Sequence, residues 1–261
     1  MLWSTSVSMM FREHAVAQRL QAARDAGFDG VEIQVLAEAP ADAWAQARET
    51  AGIAVALLNV DMGDFLAGGA GLSGVPGRDE AFRTAAIAAL DTATRLQCRH
   101  VHVGPSRVPE GSNRQACLDT LSANLRWLAP QAHAAGIRLL LEPLNRPETP
   151  TALLGHLDEA VTLIEGPLAG LAALQFDVYH VAMNGDDPVA ALQRVRSHVA
   201  HVQFSDLPGR KPPGAGRLDF VRFFQALRAS GYDGWCGAEY LALTGAAATL
   251  GWLPELRAAT A

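Results

Sequence analysis

Short apolar, β-branched runs alternate along the chain with Ala-, Leu- and Arg-rich stretches whose apolar positions recur at i, i+3 and i+4. The runs are TSVSMMF from Thr5, GVEIQV from Gly30, IAVALLNV from Ile53 and HVHV from His100. They continue with IRLLLEPLN from Ile137, LQFDVYH from Leu174, HVQFSD from His201 and WCGAEY from Trp235. Runs with few polar breaks predict strands covered on both faces, and the spacing of three and four predicts amphipathic helices over residues 15–26, 81–96, 117–135 and 220–229. Successive runs lie about 33 residues apart, the size of one strand, helix and return. Eight such units predict a (β/α)8 TIM barrel, an α/β fold with its site at the C-terminal ends of the strands.

The punctuation agrees with that reading. Gly27, Gly52, Gly136 and Gly231 each stand after a helical segment and before a strand, where glycine tolerates the left-handed conformation that stops a helix. Asp187-Pro188 opens another helix, the acid as cap and the proline at the first helical position. A doubly wound open sheet is the main rival, but its Gly-rich phosphate turn is missing from the sequence. No linker or composition break divides the chain, so one barrel domain is expected over residues 1–261. The Gly- and Pro-rich stretches at 63–77 and 208–216 follow the third and seventh strands, which puts two long loops over the site.

Composition narrows the function. With 21 basic against 27 acidic side chains the formal charge is −6, and no Lys/Arg run offers the clustered positive charge that nucleic acid requires. The N-terminal stretch lacks a basic segment followed by an apolar one, and no apolar run approaches the roughly 18 residues of a membrane span, so a cytoplasmic protein is expected. Cys98, Cys117 and Cys236 are an odd set without metal-binding spacing and read as buried apolar side chains. The Ala- and Leu-rich helix faces suit core packing and a homo-oligomer contact equally well.

The informative residues are polar groups at the ends of the last four strands: Glu142, Asp177, Gln203 and Glu239. A barrel brings those ends together, and three carboxylates on one apolar rim resist ionisation unless a cation compensates them. An all-oxygen donor set of this kind suits Mg²⁺ or Mn²⁺. Any one of the four acids or amides would be unremarkable as a helix cap or an arginine partner; four on successive strands point to a shared ligand. His180, three residues after Asp177, and Asn145, three after Glu142, are candidate substrate contacts. His102 lies in the fourth strand with its side chain directed either into the barrel or toward the helices. Arg210 and Arg78, each at a long loop, are the two candidates for holding a substrate carboxylate.

These residues resemble the hydroxypyruvate isomerase family of the xylose-isomerase-like TIM barrels over nearly the whole chain. The specific pieces are Ser8-Met9-Met10-Phe11 and Gly71-Leu72-Ser73-Gly74-Val75-Pro76-Gly77-Arg78, with EPLN at 142–145, DVYH at 177–180, HVQ at 201–203 and GAEY at 237–240. The resemblance implies that Glu142, Asp177, Gln203 and Glu239 bind the metal, that Glu142 and Glu239 also exchange protons with substrate, and that His180 and Arg210 touch substrate. Glutamine at 203, where related sugar epimerases carry histidine, favours the isomerase branch. The Gly104-Pro105-Ser106 segment and the loop at 146–150 depart from the family pattern and leave the substrate's identity open.

The expected reaction is an aldose–ketose isomerisation of a small 2-oxo acid, hydroxypyruvate or a 2-oxo-tetronate, by proton transfer between adjacent carbons. A ketose 3-epimerase on the same metal site is the nearest alternative. A non-catalytic sugar-binding barrel and a multi-metal nuclease are the readings from other classes.

Overall fold

The computed structural model describes residues 1–243 and 245–260. Eight parallel strands close into a barrel in sequence order: β1 (Leu2–Ser6), β2 (Gly30–Ile33), β3 (Ala54–Asn59), β4 (His100–His102), β5 (Arg138–Leu141), β6 (Ala172–Asp177), β7 (Val199–Phe204) and β8 (Trp235–Ala238). Closure is made by β1 on β8, with Leu2 opposite Trp235 and Thr5 opposite Ala238. The outer layer comprises α1 (Val16–Asp25), α2 (Ala41–Ala51), α3 (Asp79–Arg95), α4 (Arg114–Ala134), α5 (Leu157–Glu165), α6 (Val178–Met183), α7 (Pro188–Val195), α8 (Phe220–Ala229) and α9 (Trp252–Ala259). The predicted barrel is therefore present.

Local signals in the sequence explain the joints. Gly27, Gly52, Gly136 and Gly231 all have positive φ, and Asp187 caps α7 by accepting from the Ala190 N–H at 2.9 Å. The main core lies between strands and helices; there Trp3, Phe204, Phe224 and Trp252 meet at ring-centroid separations of 4.8–6.1 Å. The three cysteines are free and buried, as expected. Among the described residues no helix is long and apolar enough to cross a membrane.

Two expected strands end early. The first run was expected to extend through Phe11, but β1 stops at Ser6, whose carbonyl accepts the N–H groups of Met9 and Met10. That turn continues to Phe11 at φ +59°, a conformation costing a bulky residue about 1–2 kcal/mol, and the buried Phe11 ring is held edge-on against Phe28. The sixth run was expected to reach His180, yet it bends into α6 after Asp177 because the Asp177 carboxylate accepts the Tyr179 N–H at 2.8 Å.

The barrel interior is polar above a small apolar base. Leu57, Leu140 and Ala200 make a thin apolar floor. Two residues further along their strands come Asn59 and Glu142, and around them the interior is polar: Ser4, Ser6, Glu32, Gln34, His102, Gln175, His201 and Gln203 are all buried. Alternation along the strands separates most of this polar column from the outward core, with register shifts at Val31/Glu32 and Leu174/Gln175 interrupting it.

Candidate active site

Glu142 and Glu239 stand one residue beyond β5 and β8, and Asp177 ends β6, so three carboxylates converge at the C-terminal mouth. Glu142 and Glu239 line a cavity of about 530 Å³ together with His102, His180 and Arg210, and Asp177 lies behind it against His180 and Arg210. Ligand atoms of Glu142, Asp177 and His180 lie within 4.8 Å of one another. His180 Nε2 is 3.9 Å from Glu142 Oε1 and 3.6 Å from Asp177 Oδ2.

Burial dominates the electrostatics. It raises Glu142 well above the ordinary carboxyl range, and the charges of Glu239 and Asp177 push the same way against the pull of Arg210. Burial also raises Asp177, and it carries Glu239 up to about 7 although the Arg210 guanidinium opposes the shift. His102 is driven down to about 3 by burial and by His201, and His180 falls by burial and by Arg210. Both rings are therefore neutral. A divalent cation fits this set: crowded buried carboxylates gain a counter-charge, and a neutral imidazole supplies a further donor.

Arg210 at present supplies that counter-charge. Its Nη1 donates to Glu239 Oε2 at 2.8 Å and lies 3.5 Å from Asp177 Oδ2, its Nη2 donates to His180 Nε2 at 2.9 Å, and its guanidinium stacks 4.6 Å over Tyr179. Asp177 thus does two things at once, capping α6 with one oxygen and facing the site with the other.

Other expected site residues are placed differently. Gln203 is buried with both ends of its amide engaged: Nε2 donates to Glu32 Oε2 and Oε1 accepts from Gln175 Nε2, each at 2.6 Å. His102 points inward, with Nε2 3.8 Å from Glu142 Oε2. Asn145 supports the site from behind, 2.8 Å from His180 Nδ1, while its carbonyl accepts the Glu148 N–H. Arg78 lies outside the cavity, where it donates to Asp64 Oδ1 and to the Gly71 carbonyl, both at 2.9 Å, and lines a separate groove along α3.

Sequence reasoning missed Glu32. Its Oε1 accepts from Ser4 Oγ and His201 Nε2, and its Oε2 from Gln203 and Gln34. A fully buried carboxylate with four donors fixes which end of the Gln203 amide faces it. The signal was available: an acid inside the apolar GVEIQV run is as anomalous as those in the last four strands. Ser8 and Arg12 line the cavity from the turn after β1; Ser8 read as part of the first strand, and Arg12, just beyond that run, was not singled out.

The sequence pattern that defines the xylose isomerase-like TIM barrels matches residues 20–256. A 2-oxo-tetronate isomerase from Cupriavidus necator is 33% identical, with 96% of each chain covered, and a hydroxypyruvate isomerase from Escherichia coli is 29% identical, covering 98% of this chain and 99% of its own. Among solved structures, an AP endonuclease, family 2, from Brucella melitensis superposes with a TM-score of 0.92 at 32% identity, covering 98% of this chain and 99% of that one.

Proposed function

The chain belongs to the xylose isomerase-like TIM barrel family, and from that footing we propose that it is a metal-dependent isomerase of a small 2-oxo acid, hydroxypyruvate or a 2-oxo-tetronate. The observation that carries this reading is the pair Glu142 and Glu239, two largely buried carboxyls on opposite sides of Asp177 at the mouth of one barrel. The full-length similarity to isomerases of such acids supports that substrate class.

The cation, Mg²⁺ or Mn²⁺, would be held by Glu142, Asp177 and Glu239. The neutral donor beside them is open to two side chains: His180, already in the cluster, and Gln203, whose carbonyl oxygen now accepts from Gln175. When bound, the cation supplies positive charge to the substrate's carbonyl and hydroxyl oxygens and so acidifies the C–H between them. One glutamate takes the proton from the hydroxyl-bearing carbon and the other delivers a proton to the former carbonyl carbon, while the hydroxyl's proton passes to the former carbonyl oxygen. The two glutamates then reset their protonation by exchange with solvent, and their order depends on direction. His180 and Arg210 orient the substrate oxygens, and His102, neutral and buried, keeps Glu142 in place.

The carboxylate-rich mouth repels a phosphodiester backbone, which sets the nuclease reading behind the isomerase. The test is NMR in D₂O with Mn²⁺- or Mg²⁺-loaded protein, offered hydroxypyruvate, 2-oxo-tetronates and neutral ketoses, with EDTA-treated protein as control. Metal-dependent deuterium entry with migration of the carbonyl supports the isomerase. Exchange confined to ketoses whose carbonyl stays in place makes the protein an epimerase, and exchange with none of them overturns the proposal.

A further inference from the structure

The cavity's β5–β8 side is crowded with opposed charges, whereas its β1–β3 side carries Ser8, Arg12, Met62 and Leu66. Three charged residues on the walls are already committed: Glu38 to Arg19 at 2.9 Å, and Arg210 and Glu239 to each other at 2.8 Å. Glu142 belongs to the cluster around His180. Arg12 differs from all of these, because among the described residues it enters no ion pair and no side-chain hydrogen bond while it lines the cavity.

The turn that carries Arg12 is built firmly. Met10 N–H donates to the Ser6 carbonyl, His14 N–H donates to the Phe11 carbonyl, and the left-handed Phe11 is buried against Phe28. Ser8 in the same turn is 8% exposed, and its Oγ accepts the N–H groups of Gln34 and Val35 at 3.1 Å each. A hydroxyl that spends its lone pairs on two backbone donors still has its own hydrogen to give, and among the described residues that hydrogen has no acceptor.

Charge accounting says what would use these groups. Three carboxylates, Arg210 and one divalent cation sum to zero, so a neutral ketose completes the site without further help. An acid adds one negative charge, which a further cation would balance; Arg12 offers one from the solvent-exposed edge of the cavity. Arg210 cannot serve twice, and Arg78 sits outside the cavity on Asp64. We propose that Arg12, assisted by the Ser8 hydroxyl, forms the subsite for the substrate's carboxylate and thereby selects a 2-oxo acid over its neutral ketose counterpart. This rests on the reading of the cavity as a 2-oxo-acid isomerase site and deepens it by naming the group that recognises the acid.

Two isosteric pairs isolate the carboxylate: hydroxypyruvate against dihydroxyacetone, and a 2-oxo-tetronate against erythrulose. Binding of each to the metal-loaded, full-length protein is measured by saturation-transfer NMR with competition, for the parent, Arg12→Ala, Arg12→Lys and Ser8→Ala. Arg12→Ala should weaken binding of the acids roughly 2- to 10-fold, the value of a charge pair at a solvent-exposed edge, and leave the neutral ketoses unchanged. Arg12→Lys should recover part of the loss, and Ser8→Ala should lose less than Arg12→Ala. Arg12→Ala binding the acids as tightly as the parent, or losing acids and ketoses equally, overturns the proposal. The D₂O exchange experiment separates its fate from that of the reaction. A parent that exchanges nothing yet binds acids through Arg12 keeps the subsite and loses the isomerase, while normal exchange with Arg12-independent binding does the reverse.

Discussion

Replacing Gly237 by alanine should unseat the Glu32 carboxylate. A Cβ at position 237 would stand 1.7 Å from Glu32 Oε1 and 2.4 Å from its Cδ, so the carboxyl group itself must move. It is not free to do so: Oε1 holds Ser4 Oγ and His201 Nε2 at 2.8 Å each, and Oε2 holds Gln203 Nε2 at 2.6 Å. Losing one or two bonds to a charged acceptor at roughly 1.5–3 kcal/mol each, together with roughly 1–3 kcal/mol for the strain of overpacking, gives a destabilisation of about 2.5–9 kcal/mol. That is a large share of the roughly 5–15 kcal/mol by which domains are stable. Urea unfolding of the parent, Gly237→Ala, Glu32→Ala and the double variant measures it. Because removing the Glu32 side chain removes the clash, the double variant should be at least about 1 kcal/mol more stable than the sum of the single effects predicts. Gly237→Ala unfolding within about 1 kcal/mol of the parent, or two effects that merely add, would refute the picture of a carboxylate wedged against β8.

The remaining predictions concern the mouth of the barrel. Glu239→Gln should retain the metal, measured by its content after dialysis, and lose about 10²–10⁴-fold in turnover; parental turnover would remove Glu239 from the proton-transfer role. In the cation-free protein, burial raises Glu239 from its ordinary 4.5 to about 7, so the folded chain holds a proton that the unfolded chain releases. Stability should therefore be fullest below about pH 4.5 and fall as pH rises toward about 7, this group contributing up to about 1.4 kcal/mol per pH unit. Unfolding titrations in EDTA should show that slope shrinking in Glu239→Gln, and an identical slope would contradict the burial argument. Arg78→Ala should leave the Michaelis constant for every substrate unchanged and cost less than about 1 kcal/mol, since its pair with Asp64 is largely solvated; a raised Michaelis constant would place Arg78 back in the site.

The sequence by itself determined the barrel. Eight apolar runs at one spacing, helix-stopping glycines and the capped start of α7 are local signals, each satisfied by the residues beside it. It also determined that Glu142, Asp177 and Glu239 meet, because parallel strands of one barrel must bring their ends to one mouth. What only the tertiary structure decided is which partner each polar group takes. Gln203 turned to Glu32, Arg210 came across to Glu239, and Arg78 was spent on its own loop; these choices lie between residues 14 to 171 positions apart. The turn after β1 was illegible for a related reason: Ser8, Met9 and Met10 suit a strand as well as a turn, and the left-handed Phe11 is held by Phe28 from the next strand's approach rather than by any local preference. Periodicity reports which face of an element is buried, whereas hydrogen bonding and charge pairing depend on side chains that meet only after the barrel has closed.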